Sequence, residues 1–135
     1  MSEKYKILSN FVKDMSSETP DVESYLSTKN NINKYEMDID ISSKPLKNKL
    51  IEVNTSLKFQ NKTQADKKSY FEIVYASIVQ IEESVKEKKD LQKIILCDIQ
   101  NDIYPKLEKI LLNLLSDSGY SLSLIHISEP TRLRR

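Results

Sequence analysis

At 135 residues the chain holds one domain of ordinary size, and its 21 Lys+Arg against 20 Asp+Glu leave a formal charge of +1, which argues against coating nucleic acid by electrostatics alone. Hydrophobic residues at 39% permit a globular core, while the longest clear apolar run, Ile94-Ile95-Leu96-Cys97, is far short of the ~20 residues a membrane helix needs. A single cysteine and a single histidine exclude an internal disulfide and a four-ligand zinc site.

The N-terminus lacks the apolar stretch of a signal peptide, so a cytoplasmic protein without direct membrane insertion is expected. The only glycine, Gly119, rules out a phosphate-cradling loop, and His126 is the only imidazole beside which a nucleophile could be activated. These absences point to a binding or structural protein with no catalytic residues, cofactor or metal.

In chain order, alternation dominates from Leu8 to Glu83. A first strand at about Leu8–Ser16 is the weakest. Tyr35, Met37, Ile39 and Ile41 then alternate with Glu36, Asp38 and Asp40. Lys44-Pro45-Leu46-Lys47-Asn48 reads as a turn, because proline cannot continue a central ladder. The clearest strand puts Ile51, Val53, Thr55, Leu57 and Phe59 on one face, with Glu52, Asn54, Ser56, Lys58 and Gln60 on the other. The polar stretch Asn61–Lys68 connects it to a strand over Tyr70–Ile81, where Phe71, Ile73 and Tyr75 oppose Tyr70, Glu72 and Val74.

After Glu83 the period changes. Leu91–Gln100 reads as a short helix, and Asp102 as the cap of a second one with Pro105 in its first turn. Ile103, Leu107, Ile110, Leu111, Leu114 and Leu115 make a wide apolar stripe, closed by Ser118-Gly119. The expected fold class is α+β: a four-stranded antiparallel meander followed by a long amphipathic helix on one face. The stripe exceeds what four strands cover, so Phe71, Ile73, Tyr75, Leu107, Ile110, Leu111 and Leu114 are assigned to core and oligomer packing. Cys97 is expected buried or half-buried.

Residues 122–135 differ in kind. Arginine occurs only at Arg132, Arg134 and Arg135, and the only histidine shares that stretch. Leu122-Ser123-Leu124-Ile125-His126-Ile127-Ser128-Glu129-Pro130-Thr131-Arg132 resembles a sequencing adapter translated in frame. The domain is therefore set at 1–121 and a non-native tail at 122–135.

Three blocks carry a resemblance to the protein-export chaperone family SecB. Phe11-Val12-Lys13-Asp14-Met15-Ser16-Ser17-Glu18-Thr19-Pro20-Asp21 resembles its opening strand, with Asp21 for the usual Asn and Ser17 for a common Phe. Phe71-Glu72-Ile73-Val74-Tyr75-Ala76-Ser77-Ile78 resembles its fourth strand. Cys97-Asp98-Ile99-Gln100-Asn101-Asp102-Ile103-Tyr104-Pro105 resembles the approach to its first long helix. The similarity spans about Ile7 to Tyr120.

The resemblance implies an ATP-independent holdase that binds unfolded precursor proteins and delivers them to the SecA translocation motor. It also implies a homotetramer built as a dimer of dimers. Asp14, Glu18 and Glu72 fall where the family's acidic motor-contacting residues lie, with Tyr70 beside them. Phe11, Met15 and Tyr104 are softer candidates for a client groove, since aromatic and Met side chains suit promiscuous apolar contact. The family continues past this helix into a second one, so the chain is expected to lack that helix. Alternatives are a SecB-like chaperone dedicated to one client such as an antitoxin, or a non-catalytic adaptor for a folded partner. An enzyme lacks convergent acid, base and nucleophile, and an RNA-binding module lacks an aromatic-interleaved basic patch.

Overall fold

The computed structural model describes residues 4–61, 69–121 and the backbone of 133–134. Strand β1 (Tyr5–Glu18) runs into helix α1 (Val22–Asn30). Strands β2 (Glu36–Pro45), β3 (Leu50–Gln60) and β4 (Tyr70–Ile81) follow, then helices α2 (Lys88–Lys93) and α3 (Ile99–Asp117). A two-residue β5 (Leu133–Arg134) pairs in parallel with Ile39 and Asp40 of β2. The remainder of the expected foreign tail and most of the 61–68 connection lie outside the described residues.

The α+β class holds: four antiparallel strands with a long helix packed on one face. The order departs from a simple meander. β2, β3 and β4 are consecutive neighbours, but β1 pairs with β4 at the opposite edge, giving β1-β4-β3-β2-β5. Getting from β1 to β2 requires a crossing, and α1 makes it.

That helix carries no strong apolar stripe. Asp21 starts it, its side chain accepting from the Ser24 N–H at 2.7 Å, the service an N-cap carboxylate gives an orphan donor. The residues α1 buries are Ser24 and Thr28, one turn apart. Apolar periodicity therefore had nothing to report there.

The hairpin between β2 and β3 turns at Leu46–Lys49. Asn48 and Lys49 adopt positive φ of 64° and 62°; left-handed backbone is ordinary for Asn and uncommon for Lys. Pro45 ends β2 on its outer edge, where no neighbouring sheet strand needs its missing N–H.

The helical region corrects the expected two-helix reading. α2 passes through a π turn at Ile94–Asp98 directly into α3, with Ile94, Asp98 and Ile99 all in right-handed helical geometry. Asp102 therefore caps nothing, and Pro105 lies inside a continuous rod. Pro105 and Asn101, four residues before it, are exposed, so water can satisfy the carbonyl that the ring leaves without a donor. Cys97 is exposed as well, because the π turn rotates it away from the sheet while Ile94 and Ile95 are buried.

Ile99, Ile103, Leu107, Leu111 and Leu115 are fully buried and pack with Val53, Leu57, Phe71, Ile73 and Val79 of the sheet in one core. Each such Leu or Ile contributes roughly 1.5–3 kcal/mol. Ile110 and Leu114 flank the stripe, partly buried against it. The buried polar pair between helix and sheet is satisfied: Gln100 Nε2 donates to Thr55 Oγ1 at 3.1 Å and to the Ile95 carbonyl at 3.3 Å. Phe71, Ile73 and Tyr75 are core residues of this chain.

Candidate functional site

In a sheet, residues directly opposed across strands share a face. The β1–β4 register sets Glu18 opposite Tyr70, Ser16 opposite Glu72 and Asp14 opposite Val74. Phe71, Ile73 and Tyr75 point into the helix layer and are buried, so Tyr70, Glu72 and Val74 take the outer face. Asp14, Glu18, Tyr70 and Glu72 therefore stand together on the side of the sheet away from α3.

Two β-bulges in β1 make this possible, one between Ile7 and Ser9 and one between Val12 and Asp14. Each adds an unpaired residue and flips the alternation beyond it. Phe11, opposite Ala76, thereby shares the outer face with Asp14, although it is three residues away.

The same flip separates the three candidates for a client groove. Phe11 lies on the outer face; Met15, opposite Ile73, lies on the inner one; Tyr104 is half-buried on α3. They form no common surface. The exposed apolar side chains instead gather along β1 and α1: Leu8, Phe11, Val12, Met15, Val22 and Leu26. Val12 and Met15 belong to the inner face, but α3 covers β2 to β4 and leaves them 42% and 50% exposed.

The outer face is ordered by hydrogen bonds. The Tyr70 hydroxyl donates to Glu72 Oε2 at 2.6 Å, and Lys58 Nζ stands 3.7 Å from the same oxygen. Burial, then the Glu72 hydrogen bond and charge, push the Tyr70 phenol up to about 12. Lys13, the residue added by the second bulge, reaches from β1 over β4 to Glu52 Oε2 on β3 at 2.6 Å. Asn54 Nδ2 donates to that oxygen at 2.8 Å. Lys13, followed by Asn54, holds the Glu52 carboxyl below its ordinary range.

Sequence reasoning missed the contribution of β2. Register with β3 puts Glu36, Asp38 and Asp40 on this same face, opposite Gln60, Lys58 and Ser56. The face thus presents Asp14, Glu18, Glu36, Asp38, Asp40, Glu52 and Glu72 against Lys6, Lys13, Lys44 and Lys58. The alternation of β2 was legible; its joining the β1–β4 acids needed the pairing order. An acidic, hydrogen-bonded sheet surface suits a positively charged protein partner, with binding that weakens in salt. Among the described residues no group of three or more His, Cys, Asp or Glu is placed to hold a metal ion, and no helix is long and apolar enough to cross a membrane.

Comparison with known proteins gives a consistent picture. The family model described as preprotein translocase subunit SecB matches residues 1–128. The putative protein-export protein SecB of Pelagibacter ubique (strain HTCC1062) is 57% identical over 120 residues, covering 89% of this chain and 86% of that protein. Among solved structures, a SecB-like chaperone of Mycobacterium tuberculosis, in complex with a peptide from an antitoxin, aligns with a TM-score of 0.66. That alignment covers 87% of this chain and 83% of the other at 9% identity, a likeness of fold.

Proposed function

The chain belongs to the SecB family, and from that premise we propose that this chaperone is an ATP-independent holdase for unfolded precursor proteins. It works in the cytoplasm, assembles in its intact form as a homotetramer of two dimers, and passes its clients to the SecA translocation ATPase. Asp14, Glu18, Tyr70 and Glu72 form the motor-facing surface. The carrying observation is their convergence: residues from two blocks more than fifty positions apart in sequence meet on one face, with Glu18 directly opposite Tyr70. The exposed apolar residues of β1 and α1, Val12 and Met15 above all, supply surface for clients and for a second subunit.

The test separates the two activities. An export precursor diluted from denaturant is mixed with the protein without nucleotide, and its capture is compared with that of the prefolded precursor. Selective capture of the unfolded form supports the holdase; equal capture moves the adaptor reading to first place. Motor binding is then measured for the wild type and for Asp14→Asn/Glu18→Gln/Glu72→Gln across a salt series. The variant should bind the motor more weakly and lose most of the salt dependence while still capturing precursor. Unchanged motor binding would remove this face from the delivery step. Binding of a single antitoxin in preference to precursors would favour the dedicated-client form.

A further inference from the structure

We propose that the crossover from β1 to β2 is a strap: α1 lifts off the body as one unit while the sheet and α3 stay folded, and the hydroxyl cluster around Ser69 is the latch that holds it down. Both ends of the strap are pinned. Glu18 pairs with Tyr70 at the end of β1, and Ile32, just past α1, is buried in the core.

Between those pins little apolar surface is engaged. The residues α1 buries are Ser24 and Thr28, while Val22 and Leu26 are 71% and 50% exposed. By contrast, α3 commits Ile99, Ile103, Leu107, Leu111 and Leu115, all fully buried, to the core. The fastenings of the strap are largely polar. Thr28 Oγ1 accepts from the Ser69 N–H at 3.0 Å and lies 3.2 Å from the Tyr35 hydroxyl. Thr19 Oγ1 lies 3.0 Å from Ser69 Oγ, and the Tyr25 hydroxyl donates to the Gly119 carbonyl at 2.8 Å. Water replaces such bonds once the strap lifts, so each contributes far less than its gross strength. The Ser24 Oγ is sealed in without a partner among the described residues, a cost that lifting relieves.

One ring contact adds to the fastening. Tyr25 stands 5.4 Å from Tyr120, whose ring meets Phe71 edge-on at 5.8 Å. Lifting α1 uncovers the rim of an aromatic cluster that continues through Tyr35 and Phe59. The strap thereby sets how much aromatic surface the chain presents. A helix of 9 residues is too short to hold its shape alone in water, so lifting and melting are a single event. Ser69 belongs to the body, immediately before β4, yet the acceptor of its N–H is on the strap. Its amide must open with α1.

Native-state hydrogen exchange tests this, followed by NMR on the full chain in rising sub-denaturing urea, where reclosing outpaces exchange. The amides of residues 26–30 and of Ser69 should exchange faster than those of residues 71–75. They should also share one shallow urea dependence, since the slope follows the surface exposed. Thr28→Val should speed the amides of residues 26–30 about five- to 150-fold, the equivalent of one stranded buried donor. Ile99→Val, at the other end of α3 from Gly119, should speed residues 71–75 about two- to tenfold and leave α1 and Ser69 unchanged. Ser69 exchanging with residues 71–75, α1 amides exchanging at unrelated rates, or Ile99→Val speeding both sets alike would each overturn the strap. Unaltered α1 exchange in Thr28→Val would overturn the latch.

Discussion

The Tyr70 hydroxyl and the Glu72 carboxylate, two residues apart on β4, face the same way and are joined by a 2.6 Å hydrogen bond. Each is therefore fixed by the other: the phenol cannot turn away without exposing a charged acceptor, and the carboxylate is oriented for whatever approaches from outside. Charge-assisted bonds of this kind are about twice as strong as neutral ones.

The pair has a titration signature. Because the Tyr70 phenol is raised to about 12, its stabilising contribution is complete below the unfolded value near 10 and is lost as pH rises toward 12. Burial raises the Tyr35 and Tyr75 phenols too, so absorbance titration of tyrosinate should show a high-pH component whose part near pH 12 is lost in Tyr70→Phe. Glu72→Gln should move it only part of the way back toward 10, since burial, the largest cause, persists. A Tyr70 ionising normally in the wild type would contradict the structure.

The Lys13–Glu52 bridge ties the β1 bulge to β3. With the Glu52 carboxyl held low, its contribution is present above the ordinary carboxylate value and disappears as pH falls through the lowered one. Glu52→Gln should cost about 0.5–1 kcal/mol at neutral pH, in the range of a well-formed surface pair. Urea unfolding should show wild type and variant converging as the solution becomes strongly acidic.

Ser69, fully buried, is held by four side chains. Its N–H donates to Thr28 Oγ1 at 3.0 Å, its carbonyl accepts from the Tyr35 hydroxyl at 2.6 Å, and its Oγ lies 3.0 Å from both the Thr19 and Tyr120 hydroxyls. Thr28→Val preserves shape but strands the N–H. The expected loss is about 1–3 kcal/mol, the cost of an unsatisfied buried donor, seen as a lower urea midpoint at unchanged slope.

Gly119 closes α3 at φ +98°, and a Cβ there would come within 3.0 Å of the Tyr25 ring. Tyr25 also donates to the Gly119 carbonyl at 2.8 Å. Gly119→Ala should destabilise by about 1–2 kcal/mol through left-handed backbone strain and this contact. Tyr25→Phe keeps the ring and loses only the hydrogen bond, so it should cost less in the same thermal melt.

Val12 and Met15 lie on the inner face yet remain half-exposed. Val12→Ser with Met15→Ser should shift the unfolding midpoint of the isolated subunit little, since exposed substitutions stay within about 0.5 kcal/mol. Light scattering and precursor capture should both decline if this strip serves assembly and clients. Retention of both would assign it neither role.

What the sequence determined by itself is whatever depends on short-range periodicity. The faces of β3 and β4, the stripe on α3 and the Gly119 cap all follow from residues within one strand or a few helical turns, whose side chains point where geometry sends them. The acids of β1 and β4 were legible through their likeness to a family pattern.

Tertiary structure decided the rest. A bulge depends on how one strand meets another, so nothing within Tyr5–Glu18 announces that Phe11 and Asp14 share a face while Met15 does not. The crossover helix was hidden because it buries Ser24 and Thr28 rather than an apolar stripe. Pro105 suggested a helix start, yet the rod runs through it because Ile103 and Leu107 on either side are fully buried against the sheet. Asp40 joined Asp14 on one row only when β1 crossed to pair with β4. Side-chain direction is local, but register and strand order are bought by contacts between distant segments, and the outer face is made of those.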